Sequence, residues 1–133
     1  MNFFRLACLF TALSVAAAPL GAQNKQSPEQ VEKQMMEYID KEVQHLTDVL
    51  ELEYWQEFYV DSTLTHDYHA MQEELNSLQV ARVGNSDLYQ GIQDKWQEQM
   101  YQTFRRILND EQWKKYLRSG AERAKKARDK RKK

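Results

Sequence analysis

Apolar side chains recur at steps of three and four over long stretches of the chain, the spacing of one face of an α-helix. In the first stretch Val31, Met35, Tyr38/Ile39, Val43 and Leu46 follow Ser27-Pro28-Glu29-Gln30. That opening predicts a helix start: Ser27 can cap, Pro28 suits the first helical position, and Gln30 sits three residues after the cap. The face runs to about residue 47. A second helical segment is predicted from about Asp48 to about Arg82, with Asp48 and Glu51 as a capping pair. Its first half is aromatic, with Tyr54, Trp55, Phe58 and Tyr59. Its second half carries Leu64, Tyr68, Met71, Leu75 and Leu78, a stripe suited to antiparallel packing against another helix or another chain. The two registers do not join smoothly around Tyr59 to Asp61, which predicts a bend or a change of partner there.

Gly84-Asn85-Ser86 interrupts the pattern, a glycine followed by cap residues. A third helix is predicted from about Asp87 to Leu108, with Leu88/Tyr89, Ile92, Trp96, Met100, Phe104 and Ile107 on its apolar face. Gly91 weakens its first turns. A fourth helix starts at Asn109 and presents Trp113, Tyr116 and Leu117. No stretch alternates apolar and polar residues long enough to make a strand. The expectation is an all-α protein of about four helices in an extended antiparallel, cradle-like arrangement.

Ahead of these helices, residues 1–22 have the layout of a signal peptide. Arg5 supplies the positive start, Leu6 to Ala18 is apolar apart from Thr11 and Ser14, and Ala22 precedes Gln23. The apolar run is too short to span a membrane. The reading is export, cleavage after Ala22, and residence in an envelope compartment, most simply the periplasm of a Gram-negative bacterium. The single cysteine of the 133 residues, Cys8, lies in this leader. A mature chain without cysteine excludes a disulfide scaffold, a thiol catalyst and a Cys-ligated metal site.

The 19 basic and 20 acidic residues nearly cancel, yet they are segregated. Residues 23–112 hold seven basic and 18 acidic side chains, a balance of −11, whereas residues 113–133 hold eleven and two, a balance of +9. An acidic body, with a helical domain assigned to residues 23–120, thus carries a basic tail at residues 121–133. In that tail Lys125, Lys126, Arg128, Lys130 and Arg131 are the candidate contact residues. Such a tail binds anionic lipid or acidic protein, stays solvated, or docks onto the acidic body. Export makes nucleic acid the least fitting partner.

A short pattern occurs twice. Leu108-Asn109-Asp110-Glu111-Gln112 is followed by Trp113, and Leu52-Glu53-Tyr54-Trp55-Gln56 stands 56 residues earlier. In the later copy Asn109 caps a helix and Gln112 occupies the position that reaches back to the cap. Asp110 and Glu111 favour the positive helix start. In the earlier copy Glu53 stands at the cap, a poorer residue for that role. With its leader, four helices and paired motif, the chain resembles the Spy/CpxP family of envelope proteins, named for paired Leu-Thr-x-x-Gln motifs, over about residues 28 to 120. The resemblance implies a cradle-like antiparallel homodimer that binds unfolding proteins or senses envelope stress, and some relatives bind metal. The acidic body departs from the basic concave surface of the chaperone members.

Trp55, Phe58, Tyr59, Trp96, Tyr101, Phe104 and Trp113 are the candidate contact residues, read either as an adhesive surface for client segments or as core and dimer seam. Tyr59 and Tyr101 are the tyrosines expected to keep a wet hydroxyl. His66 and His69 stand one turn apart with Asp67 between them. They would hold Zn, Cu or Ni only if a partner helix supplied a further ligand such as His45. No nucleophile–base–acid set and no glycine-rich phosphate loop is evident, so no enzyme and no cofactor are expected. The functional expectation is an ATP-independent, chaperone-like or stress-binding protein that holds apolar segments of unfolded or envelope proteins. A metal-binding role and an adaptor role on anionic membrane surfaces are the alternatives.

Overall fold

The computed structural model describes residues 26–133; the expected signal peptide, residues 1–22, lies outside them. The described chain is helical: α1 (Pro28–Leu50), α2 (Tyr54–Val80), α3 (Ser86–Ile107) and α4 (Asp110–Tyr116), continued by a π-helical turn (Leu117–Ala121) into α5 (Glu122–Arg131). Four rods result, the fourth being the α4–α5 arm, and no strand occurs among the described residues. None of these helices is long and apolar enough to cross a membrane.

The first helix starts as its sequence implies. The Gln30 amide N–H donates to Ser27 Oγ at 3.2 Å, and the Ser27 N–H donates to Gln30 Oε1 at 3.0 Å. Its end differs from expectation. Asp48 is not a cap, because α1 continues through it to Leu50, whose side chain is buried. The burial of Val43, Leu46 and Leu50 carries the apolar face one turn further, and Glu51 ends the helix in the left-handed region at φ 52°. The second helix is then capped from Glu53.

α2 runs without interruption past Tyr59. Gln56, Val60, Leu64, Asp67, Met71 and Leu75 form one unbroken buried stripe along it. The apparent break in register arises because the aromatic residues of its first turns lie on the opposite face. At 27 residues and 1.5 Å per residue, α2 is about 40 Å long. α3 returns along it from Asn85, whose side chain accepts the Asp87 amide N–H at 3.0 Å. Arg82, not Gly84, takes the left-handed conformation in the connection.

α1 packs against α2 and α4, and α3 packs against α2 and α5. The core is built from Met35, Ile39, Val43, Leu46 and Leu50 of α1, Val60 and Leu64 of α2, and Met100, Phe104 and Leu108 at the end of α3. The fourth arm turns at Gly120, which adopts φ 120°, a region that a residue with a Cβ avoids. Beyond it the basic segment forms α5 and docks. Arg128 is only 3 % exposed and donates to Glu98, while Arg131 makes two bonds of 2.7 Å to Asp94. Of the readings open for residues 121–133, docking on the acidic body is the one that holds for Arg128, Arg131 and Lys125. Lys126 and Lys130 face water.

Candidate functional site

The two copies of the short motif meet. Gln56 at the start of α2 and Gln112 at the start of α4 are 3 % and 7 % exposed, and their amides pair face to face. Gln56 Nε2 donates to Gln112 Oε1 at 2.7 Å, and Gln112 Nε2 returns a bond to Gln56 Oε1 at 2.8 Å. Each Oε1 also accepts the backbone N–H of its own cap residue, Glu53 at 2.9 Å and Asn109 at 3.0 Å. Each remaining N–H points at a backbone carbonyl of the adjoining helix end, Ile107 at 3.1 Å and Glu51 at 3.5 Å. Both amides therefore use two donors and two acceptors, which is what burial of an amide requires. Asn109 completes its own helix start by accepting the Gln112 N–H at 2.9 Å. Leu108 is buried and Leu52 packs against the same core. Lys115 reaches Glu51 across this corner at 2.6 Å, and its hydrogen bond holds the Glu51 carboxyl below the usual range.

This clasp decides which way the neighbouring aromatic side chains point. With Gln56 and Val60 facing inward, the outward face of the same turns carries Tyr54, Trp55, Phe58 and Tyr59, which are 88, 49, 61 and 53 % exposed. Their rings support one another edge to face: Trp55 lies 6.3 Å and Phe58 5.7 Å from Tyr59, centroid to centroid. The indole N–H of Trp55 donates to the Glu53 carboxylate at 2.6 Å. Tyr54 is the most exposed of the four and stands four residues before Phe58 on the same face.

The other candidate aromatics are structural to differing degrees. Phe104 is buried in the core, and Trp96, Tyr101 and Trp113 are half-buried. Trp113 and Tyr101 meet edge to face at 4.9 Å, the Arg105 guanidinium lies over Trp113, and the Arg128 guanidinium and the Lys125 ammonium lie over Tyr101. Tyr101 is thus covered by the basic helix instead of standing free. Deeper in, Tyr38 and Tyr68 cross edge to face with their hydroxyls 3.4 Å apart. Desolvation raises the pKa of both phenols and of Tyr116, and raises that of the Glu42 carboxyl as well.

His66 and His69 face different carboxylates. His66 Nδ1 faces Asp67 Oδ1 at 2.8 Å, whereas His69 Nε2 faces Glu32 of α1 at 3.3 Å. Asp67 is held instead against α3 by Gln99, which donates at 3.1 Å. No group of three His, Cys, Asp or Glu suited to a metal is found among the described residues. His66 and His69 thus each engage a carboxylate of their own in this chain.

Under the basic helix, Asp94 and Glu98 of α3 receive Arg131, Arg128 and Lys125. Burial alone would raise both carboxyls. Hydrogen bonds from Arg131 and Gln90 to Asp94, and from Gln102, Arg128 and Lys125 to Glu98, together with the nearby cations, outweigh it and leave both lowered. Comparison with family models, with curated proteins and with solved structures finds no match to this chain.

Proposed function

We propose that this protein is an exported, ATP-independent binding protein of the Spy/CpxP type that holds apolar segments of other polypeptides. The observation that carries the reading is the exposed face of Tyr54, Trp55, Phe58 and Tyr59. Four adjoining aromatic side chains facing water, on a helix whose opposite face is fully occupied by the core, leave adhesive area that folding has not used. Aromatic residues with a polar atom at one end suit reversible contact, since they offer a large apolar surface and a hydroxyl or indole N–H that remains hydrated. The paired motif supports the same reading: its glutamines clasp two helix starts and thereby set the outward direction of that face. Binding needs no chemistry beyond this, and the resemblance supplies export and stress protection as the setting. The adaptor reading loses support, because Arg128, Arg131 and Lys125 are engaged with α3.

The test is suppression of aggregation by the mature chain. A thermally unfolding client protein should stay soluble near equimolar amounts, and a Trp55→Ser/Phe58→Ser/Tyr59→Ser variant with unchanged helical circular dichroism should lose most of that protection. Absence of protection at several-fold excess of the unaltered chain would end the proposal.

A further inference from the structure

The aromatic face does not stand alone. Along the groove between α1 and α2, Asp40 and Asp48 from one helix face Glu57 and Asp61 from the other, with Val43, Gln44 and Thr47 completing the lining of a cleft of about 440 Å³. At 100° per residue along α2, Glu57 and Asp61 fall directly beside Tyr54 and Phe58. The acidic groove therefore borders the Tyr54 and Phe58 edge of the aromatic face, with Trp55 and Tyr59 further round the helix. Asp94 and Glu98 of α3 are neutralised by the basic helix, and Glu51 by Lys115. Within the groove Asp61 accepts the Thr65 hydroxyl at 3.4 Å. The Thr47 hydroxyl is buried in the groove wall and has no hydrogen-bond partner among the described residues.

We infer that this surface selects cationic amphipathic segments: a polypeptide stretch whose apolar side chains lie on Tyr54, Trp55, Phe58 and Tyr59 and whose Lys or Arg side chains enter the groove of Asp40, Asp48, Glu57 and Asp61. The inference rests on the proposed binding function and adds the class of client. Charge complementarity is the argument. Four carboxylates gathered along one groove give it a negative potential, which speeds the encounter with a basic segment and repels an acidic one. The adjoining rings then supply the apolar contact, as in recognition of an amphipathic helix by a groove. A second copy of the chain fits less well, since its exposed body is itself acidic.

The experiment uses the mature chain and two 20-residue synthetic peptides with one apolar pattern, the first bearing Lys and the second Glu at the polar positions. Titration followed by Trp fluorescence should give binding of the Lys peptide about tenfold or more tighter than the Glu peptide at low salt, a preference that shrinks as salt screens the charges. An Asp40→Asn/Glu57→Gln/Asp61→Asn variant should lose most of this preference, while Glu29→Gln/Glu73→Gln/Asp87→Asn, which changes net charge equally at remote positions, should keep it. Equal affinity for both peptides, or equal loss in the two variants, overturns the inference while leaving the binding function standing. No binding of either peptide removes both. A chain that runs as two copies in solution, and as one after Phe58→Ser/Tyr59→Ser, overturns it as well, because a second copy then covers the face.

Discussion

Gln56 and Gln112 tie the starts of α2 and α4 to each other through one pair of buried amides. Each is buried, each spends all four of its hydrogen-bonding positions, and each both caps its own helix and grips the other. Removing one strands its partner's amide in the interior, a cost of about 1–3 kcal/mol. Gln112→Ala should therefore lower stability by about 2–3 kcal/mol in urea unfolding. Because Gln56 and Gln112 act as one unit, the Gln56→Ala/Gln112→Ala double variant should cost less than the two single changes together, by about 1–2 kcal/mol. Simple additivity in that cycle would show that the clasp has no energetic meaning.

At the level of the helices, Gly91 and Gly120 have opposite uses. Gly91 lies inside α3, where an added Cβ meets nothing within 4 Å. Gly91→Ala should raise stability by about 0.5–1 kcal/mol, through the helical preference of alanine and the smaller freedom of the unfolded chain. Gly120 holds φ 120° inside the π-helical turn that leads into α5. Gly120→Ala should cost about 1–2 kcal/mol by forcing a Cβ into that region, and it should loosen α5 more than α1. Denaturant midpoints for the two variants, with amide exchange read separately for residues 122–131, distinguish these effects.

Across the whole molecule the segregated charge of the chain closes on itself: part of the surplus of cations at the C-terminus is matched to acids on α3. The Asp94 and Glu98 carboxyls are lowered relative to the unfolded chain. A carboxyl lowered on folding contributes stability that is present above its unfolded value and disappears as pH falls through its folded value. Docking of α5 should therefore be intact at neutral pH and fail in the acid range, starting below the ordinary glutamate and aspartate pKa values. Amide exchange of residues 122–131 between pH 7 and pH 3 checks this. Protection unchanged across that interval would mean that the ion pairs do not hold the arm.

Much of this structure was legible in residue order. The spacing of Met35, Ile39, Val43 and Leu46 specified α1, the Ser27 and Asn109 caps marked two helix starts, and Gly84-Asn85-Ser86 marked the turn before α3. These are local effects, set within a turn or two of helix. The direction of the aromatic cluster was not legible, because periodicity places Trp55, Phe58 and Tyr59 on one side of α2 without saying which side the core takes. That choice was made by Gln56 and Val60 packing beneath Ile107 and Gln112, contacts spanning some 50 residues of chain. Likewise the tail's charge pointed to an acidic partner, but only the path of the chain through Gly120 laid Arg128 and Arg131 on Glu98 and Asp94. Short-range preference shapes a helix; which of its faces meets water depends on what the rest of the chain brings against it.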